Sequence, residues 1–153
     1  MAQSGTRARR ARRRQRDERP EVIAGALDPT IRDLAQAANF AAFTVRLLSG
    51  DAMTHVMWVD ADDDHVLINT EVHRAKFKAV ERDPRVTVMI WVKDDPYTYG
   101  EVRGRVVETT RGPKARAHID ALSQKYRGRD FDPGNITSER VILKIAPDLQ
   151  RCH

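Results

Sequence analysis

The sequence predicts a mainly β fold of the α+β kind: a six-stranded antiparallel sheet closed into a small barrel, with about three short helices at its ends or gaps. Three observations lead there. Strand-like runs arrive as neighbours joined by short polar turns, the order of hairpins and not of alternating βαβ units. Helical periodicity appears in only three short stretches. The chain has 153 residues, the size of one domain. A chain of this length buries enough surface to need no disulfide or metal staple.

The elements follow in order. Asp28-Pro29 offers an N-cap and a first helical residue, and Ile31, Leu34, Ala35 and Ala38 recur at helical spacing, which predicts a helix over 28–37. The run from Ala42 to Leu48, the turn Ser49-Gly50-Asp51 and the run from Thr54 to Val59 predict a hairpin. Asp62-Asp63-Asp64 reads as a polar hairpin tip, because it lacks the alternating spacing of a calcium loop. His65 to Thr70 is the third strand.

Val72 to Arg82 has a helical pattern, stopped by Asp83-Pro84, since the residue before proline is pushed out of the α region. Arg85 to Val92 is the strand richest in β-branched residues. After Asp94-Asp95-Pro96, Tyr97 to Thr109 reads as a long strand with Gly100 and Gly104 as bulge or bend points. Pro113 opens an amphipathic helix whose Ala115, Ile119, Leu122 and Tyr126 share a face, and Gly128 stops it. Glu139 to Ile145 is the last strand.

The net charge of +5 is unevenly spread. Residues 1–20 hold eight arginines against Asp17 and Glu18, so the rest of the chain is slightly acidic. Residues 1–24 are therefore expected to form a disordered arginine-rich tail, and 25–153 the folded domain. Such a tail offers contact with nucleic acid or an anionic surface, although a merely solvated tail is the commoner use of a charge run. The one cysteine, Cys152, excludes an intrachain disulfide, and no apolar run has the length of a membrane span. The expected setting is cytoplasmic. No Walker A loop, GxGxxG, GxSxG or HExxH is present, and the five histidines show no metal-ligand spacing.

The chemistry-bearing stretch is Asn69-Thr70-Glu71-Val72-His73-Arg74-Ala75-Lys76-Phe77-Lys78. A strand ends in two hydrogen-bonding residues, and a helix then starts with Arg74, Lys76 and Lys78 beside it. Free N–H groups at a helix start, together with guanidinium and ammonium groups, suit an anion.

The run from His65 to Arg85, HVLINTEVHRAKFKAVERDPR, resembles the pyridoxamine 5'-phosphate oxidase-like, FMN-binding split barrels, and within them the coenzyme F420-dependent oxidoreductases. The matching features are Asn69, Thr70, Arg74, Lys76 and Arg82-Asp83-Pro84-Arg85, then Met57-Trp58-Val59-Asp60, the run from Asp94 to Gly104, and Ile119 to Gly128. The resemblance covers roughly residues 28–148. It implies a Greek-key split barrel, a homodimer with cofactor sites at the subunit interface, and hydride transfer from reduced F420 to a small organic acceptor.

Arg74 and Lys76 would hold the cofactor phosphate. His55, Val56 and Met57 would line the ring, Asn69 and Thr70 would meet the ribityl chain or phosphate, and Tyr97 would approach from either subunit. FMN, or haem on the same fold, is the alternative cofactor, and a non-enzymatic carrier tethered by its basic tail is the alternative function. The chain departs from the family pattern at His55-Val56, where Ser-Pro is usual, and at Ala79, where Asn is usual. The first departure bears on the ring contacts, the second on a turn.

Overall fold

The computed structural model describes residues 25–153, so the arginine-rich segment lies outside the described residues. Eleven elements are arranged in chain order. Helix α1 is Pro29–Gln36, followed by strands β1 (Phe40–Arg46), β2 (Ala52–Trp58), β3 (Asp60–Ala61) and β4 (Val66–Glu71). Helix α2 is Ala75–Arg82, then come β5 (Arg85–Val92) and β6 (Asp95–Arg111). Helix α3 (Pro113–Arg127), a 3-10 turn at Pro133–Asn135 and β7 (Arg140–Cys152) complete the chain.

All strand pairs are antiparallel, in the order β2-β1-β5-β6-β7-β4-β3. The sheet has seven strands where six were expected. The extra one is β3, which lies just past the end of the second predicted strand at Val59, where the turn was expected. Residues before Val59 pair with β1, and Asp60 and Ala61 pair with β4. The two ends of the sheet order are thus consecutive pieces of one segment. At the break, Val59 N–H donates to the Tyr126 hydroxyl at 3.1 Å, and Lys125 Nζ donates to Val59 O at 2.5 Å. The Tyr126 hydroxyl also donates to Asn39 O on the β1 side. Side chains from the last turn of α3 therefore do the pairing that a strand neighbour would do elsewhere.

The core lies inside this curled sheet. β1 alternates inward Ala41, Phe43 and Val45, and β5 alternates inward Val86, Val88 and Ile90, as a sheet with one buried face requires. α1 caps one end, with Asp28 accepting from Thr30 N–H at 2.8 Å and Ile31, Leu34 and Ala35 buried. Gly100 has no register shift and makes room instead: a Cβ there would stand 2.9 Å from Ile31 Cγ1 of α1.

Gly104 is a bulge. The β6–β7 register shifts between Arg103 and Gly104, and Gly104 faces Pro147. That irregularity is also why β7 runs on to Cys152 instead of stopping at Ile145. Pro147 has no N–H to give a ladder, and a bulge is where a strand tolerates it. β6 begins at Asp95 and not Tyr97, because Lys93-Asp94 alone makes the turn. α2 begins at Ala75 and not Val72. Glu71 still belongs to β4, Val72 N–H donates to Glu139 O at 3.0 Å, and Arg74 N–H turns back to Glu71 O at 3.1 Å.

Candidate functional site

The end of β4 is built of residues that sheet periodicity alone would not bury. Asn69, Thr70 and Glu71 are all buried, and Glu71 is only 1% exposed. Asn69 is occupied within the protein. Its Nδ2 donates to Ala115 O and meets His118 Nδ1, each at 3.0 Å, while its Oδ1 accepts from Arg140 Nε at 2.9 Å. His118 continues the chain of contacts to Asp60 Oδ2 at 3.0 Å.

Glu71 is the hub of the group. Its Oε2 accepts from the N–H groups of Thr137 (3.0 Å) and Ser138 (2.7 Å) and from both their hydroxyls. Its Oε1 accepts from Arg140 Nη1 at 3.1 Å. Burial pushes the Glu71 carboxyl up, but these N–H groups and the Arg140 charge more than offset that and leave it below the usual carboxylate range. Sequence reading missed both Glu71 and Arg140. The signal was present only as a carboxylate ending an otherwise uncharged strand. Its partner is 69 positions away and becomes visible through the β4–β7 register, where Glu71 faces Arg140.

Above this end stands a set of cations. Arg74 is the exposed N-cap of α2, and Lys76 lies in its first turn, half-buried. Burial lowers the Lys76 ammonium from its usual range, and the positive charges of Arg74 and Arg140 lower it further. Neither the Arg74 nor the Lys76 side chain has a hydrogen-bond or ion-pair partner among the described residues. A half-buried ammonium with cationic neighbours and no carboxylate lacks the partner that burial ordinarily demands. An anion would supply it. The chemistry of this donor set, a fork-shaped guanidinium beside a point-charge ammonium at a helix start, fits a phosphate.

An aromatic wall runs away from the cations. Arg140 lies over the Phe131 ring at 5.3 Å, Phe131 meets Trp58 edge-on at 6.2 Å, and Trp58 stacks on Tyr126 at 5.0 Å. The Trp58 end of β2 is thereby linked to the cation set in one chain.

Of the expected site residues, Asn69, Thr70, Arg74 and Lys76 gather at one strand end. Met57 packs against the core, whereas His55 and Val56 are exposed on β2. Tyr97 is 87% exposed at the start of β6, while Thr70 aligns through Val141 with Arg111 at the other end of that seventeen-residue strand. The single chain does not bring Tyr97 to the cations. A cavity of about 330 Å³ lies elsewhere, between β1, β5 and β6. Of its three arginines, Arg85 and Arg103 already pair with Asp83 and Glu101, and the carboxylate of Asp148 lines it beside Arg46, so it is the weaker anion candidate.

Residues 27–151 match the family described as pyridoxamine 5'-phosphate oxidase. The chain belongs to that family. No curated protein matches it. Among solved structures, a protein named F420 reductase is 22% identical with a TM-score of 0.71, over 82% of this chain and 98% of that one. A conserved hypothetical protein of Mycobacterium tuberculosis is 19% identical with a TM-score of 0.64, over 86% of each chain. A Listeria innocua protein named as a candidate pyridoxamine 5'-phosphate oxidase is 20% identical with a TM-score of 0.57, over 80% of this chain and 92% of that one. These likenesses establish the fold. Among the described residues no helix is long and apolar enough to cross a membrane.

Proposed function

We propose that this member of the family is an oxidoreductase that holds coenzyme F420, or FMN in its place, by the phosphate and passes a hydride to a small organic acceptor. The observation that carries the reading is Lys76, half-buried beside Arg74 with no anionic partner among the described residues. The ring of the cofactor supplies the hydride chemistry when bound, and the protein binds and orients it. Arg74 and Lys76 neutralise the phosphate. Thr70 and the start of α2 border it, and Phe131 and Trp58 shield the approach from water. His55 stands exposed on β2, the strand that would line the ring.

A homodimer belongs to this proposal. Val56 and Tyr97 are 66% and 87% exposed, unusual for large apolar side chains, and Tyr97 reaches a cation set only if a second copy supplies one.

The test is a fluorescence titration of the purified protein with F420 and with FMN, alongside Arg74→Ala and Lys76→Ala. Each variant is expected to weaken binding about tenfold or more, the worth of one charge-assisted hydrogen bond. Equal affinity in wild type and both variants would remove the phosphate site and with it the reading.

A further inference from the structure

Arg140 is a strut of the fold with one donor group left over. Its side chain is 10% exposed. A guanidinium has five N–H donors. Nε is spent on Asn69 and Nη1 on Glu71, while Nη2 has no partner among the described residues. No buried side-chain nitrogen or oxygen in the described residues lacks a partner, so the unpartnered Nη2 keeps some open space beside it.

The backbone sets where that space is. Arg140 faces Glu71 across the ladder, and the chain turns back at Glu71 through the Arg74 N–H, which brings Arg74 and then Lys76 over the same strand end. The mutual repulsion of Arg74, Lys76 and Arg140 is consistent with this convergence.

We propose that Arg140 is a third phosphate-gripping cation of the Arg74–Lys76 site, and that Glu71 is the positioning residue that holds it there and ties the site to the 137–138 turn. This rests on the phosphate-cofactor reading above. Glu71 and Asn69 together fix the guanidinium plane, so that Nη2 is presented in one direction with little rotamer freedom left to lose on binding. The same carboxylate holds the Thr137 and Ser138 N–H groups, and Phe131 of the same loop lies under the guanidinium. Anion grip and loop position are thereby joined through one residue.

The experiment uses the full chain and paired probes: FMN against riboflavin, and F420 against its phosphate-free deazaflavin precursor. The central variant is Glu71→Gln/Arg140→Met. It leaves the net charge unchanged, removes both members of a buried ion pair together, and leaves an amide oxygen to accept from the 137–138 turn. The expected result is that affinity for FMN and F420 falls about tenfold or more while the phosphate-free probes bind as they do to wild type.

Unchanged affinity for the phosphate-bearing probes overturns the proposal. An equal fall for both kinds of probe does so too, since it reports a structural role alone. Arg140→Lys is the second variant, for the case in which the double variant does not fold. It keeps the charge but cannot hold Asn69 and Glu71 and still present a third donor in the same plane. It is expected to lose several-fold in the phosphate-bearing probes only, and wild-type affinity overturns the proposal. Wild-type protein that binds the phosphate-bearing probes no better than their phosphate-free partners is a separate outcome, and it overturns the cofactor reading itself.

Discussion

Replacing Glu71 alone by alanine is expected to destabilise the fold by about 3–5 kcal/mol, the cost of removing one partner from a buried ion pair. The value is large because three kinds of group lose their acceptor at once: the Arg140 guanidinium, the two backbone N–H groups of the 137–138 turn, and their hydroxyls. Urea unfolding at neutral pH measures it, as a shift in midpoint with unchanged slope. A loss below 1 kcal/mol would show that the network relaxes around the gap.

The same group gives the acid limb of stability. Its folded pKa lies below the ordinary glutamate value of 4.5, so the folded state favours the carboxylate. That contribution is complete above the unfolded pKa and is lost as pH falls below about 4.5 and through the folded value. The Glu71→Ala difference from wild type should shrink over that acid range.

The second large effect is expected at Gly104. A Cβ there would overlap the carbonyl oxygen of Ala146, which is main chain and cannot swing aside. Gly104→Ala is expected to cost about 3 kcal/mol, the upper part of the range for overpacking, because the bulge that admits Pro147 must open. Gly50→Ala is the useful contrast. Its Cβ meets nothing, and the cost there is only that of a positive φ of +89° in a turn. Thermal unfolding of the two variants separates strain from collision: a Gly104→Ala protein as stable as wild type would mean that β7 slides without penalty.

Much of the fold is legible in the sequence because its signals are local. The α1 cap at Asp28, the turn at Ser49-Gly50-Asp51, the stop at Asp83-Pro84 and the αL end of α3 at Gly128 each act within a few residues of themselves. Even the Asp83-Pro84-Arg85 piece closes on itself, with both Asp83 oxygens taken by the Arg85 guanidinium. What the sequence hides is non-local. The extension of β7 past Pro147 depends on a glycine 43 positions earlier in the facing strand. The break at Val59 carries no turn residue at all, and the tyrosine that satisfies its N–H sits on another element.

The site divides the same way. Arg74 and Lys76 are readable because a basic pair at a helix start is a contiguous pattern. Glu71, Arg140 and the occupied amide of Asn69 become a group only through the pairing of β4 with β7.

The partner change at Val59 also orders events in time. The β1–β2 hairpin can form from contacts close in sequence, and so can the short β3–β4 pair. The seam between them waits for Tyr126, 67 positions further on, because only that side chain satisfies the Val59 N–H and then reaches Asn39 O. A contact of that separation carries a loop-closure cost that the hairpins do not. The seam at Val59 is therefore expected among the later steps of folding, together with the docking of the last turn of α3. Pulse-labelled hydrogen exchange should show the Val59 amide gaining protection together with that turn and after the amides of the β1–β2 hairpin. The helix that looks peripheral in the element order is the clasp that ties together the two ends of the sheet order.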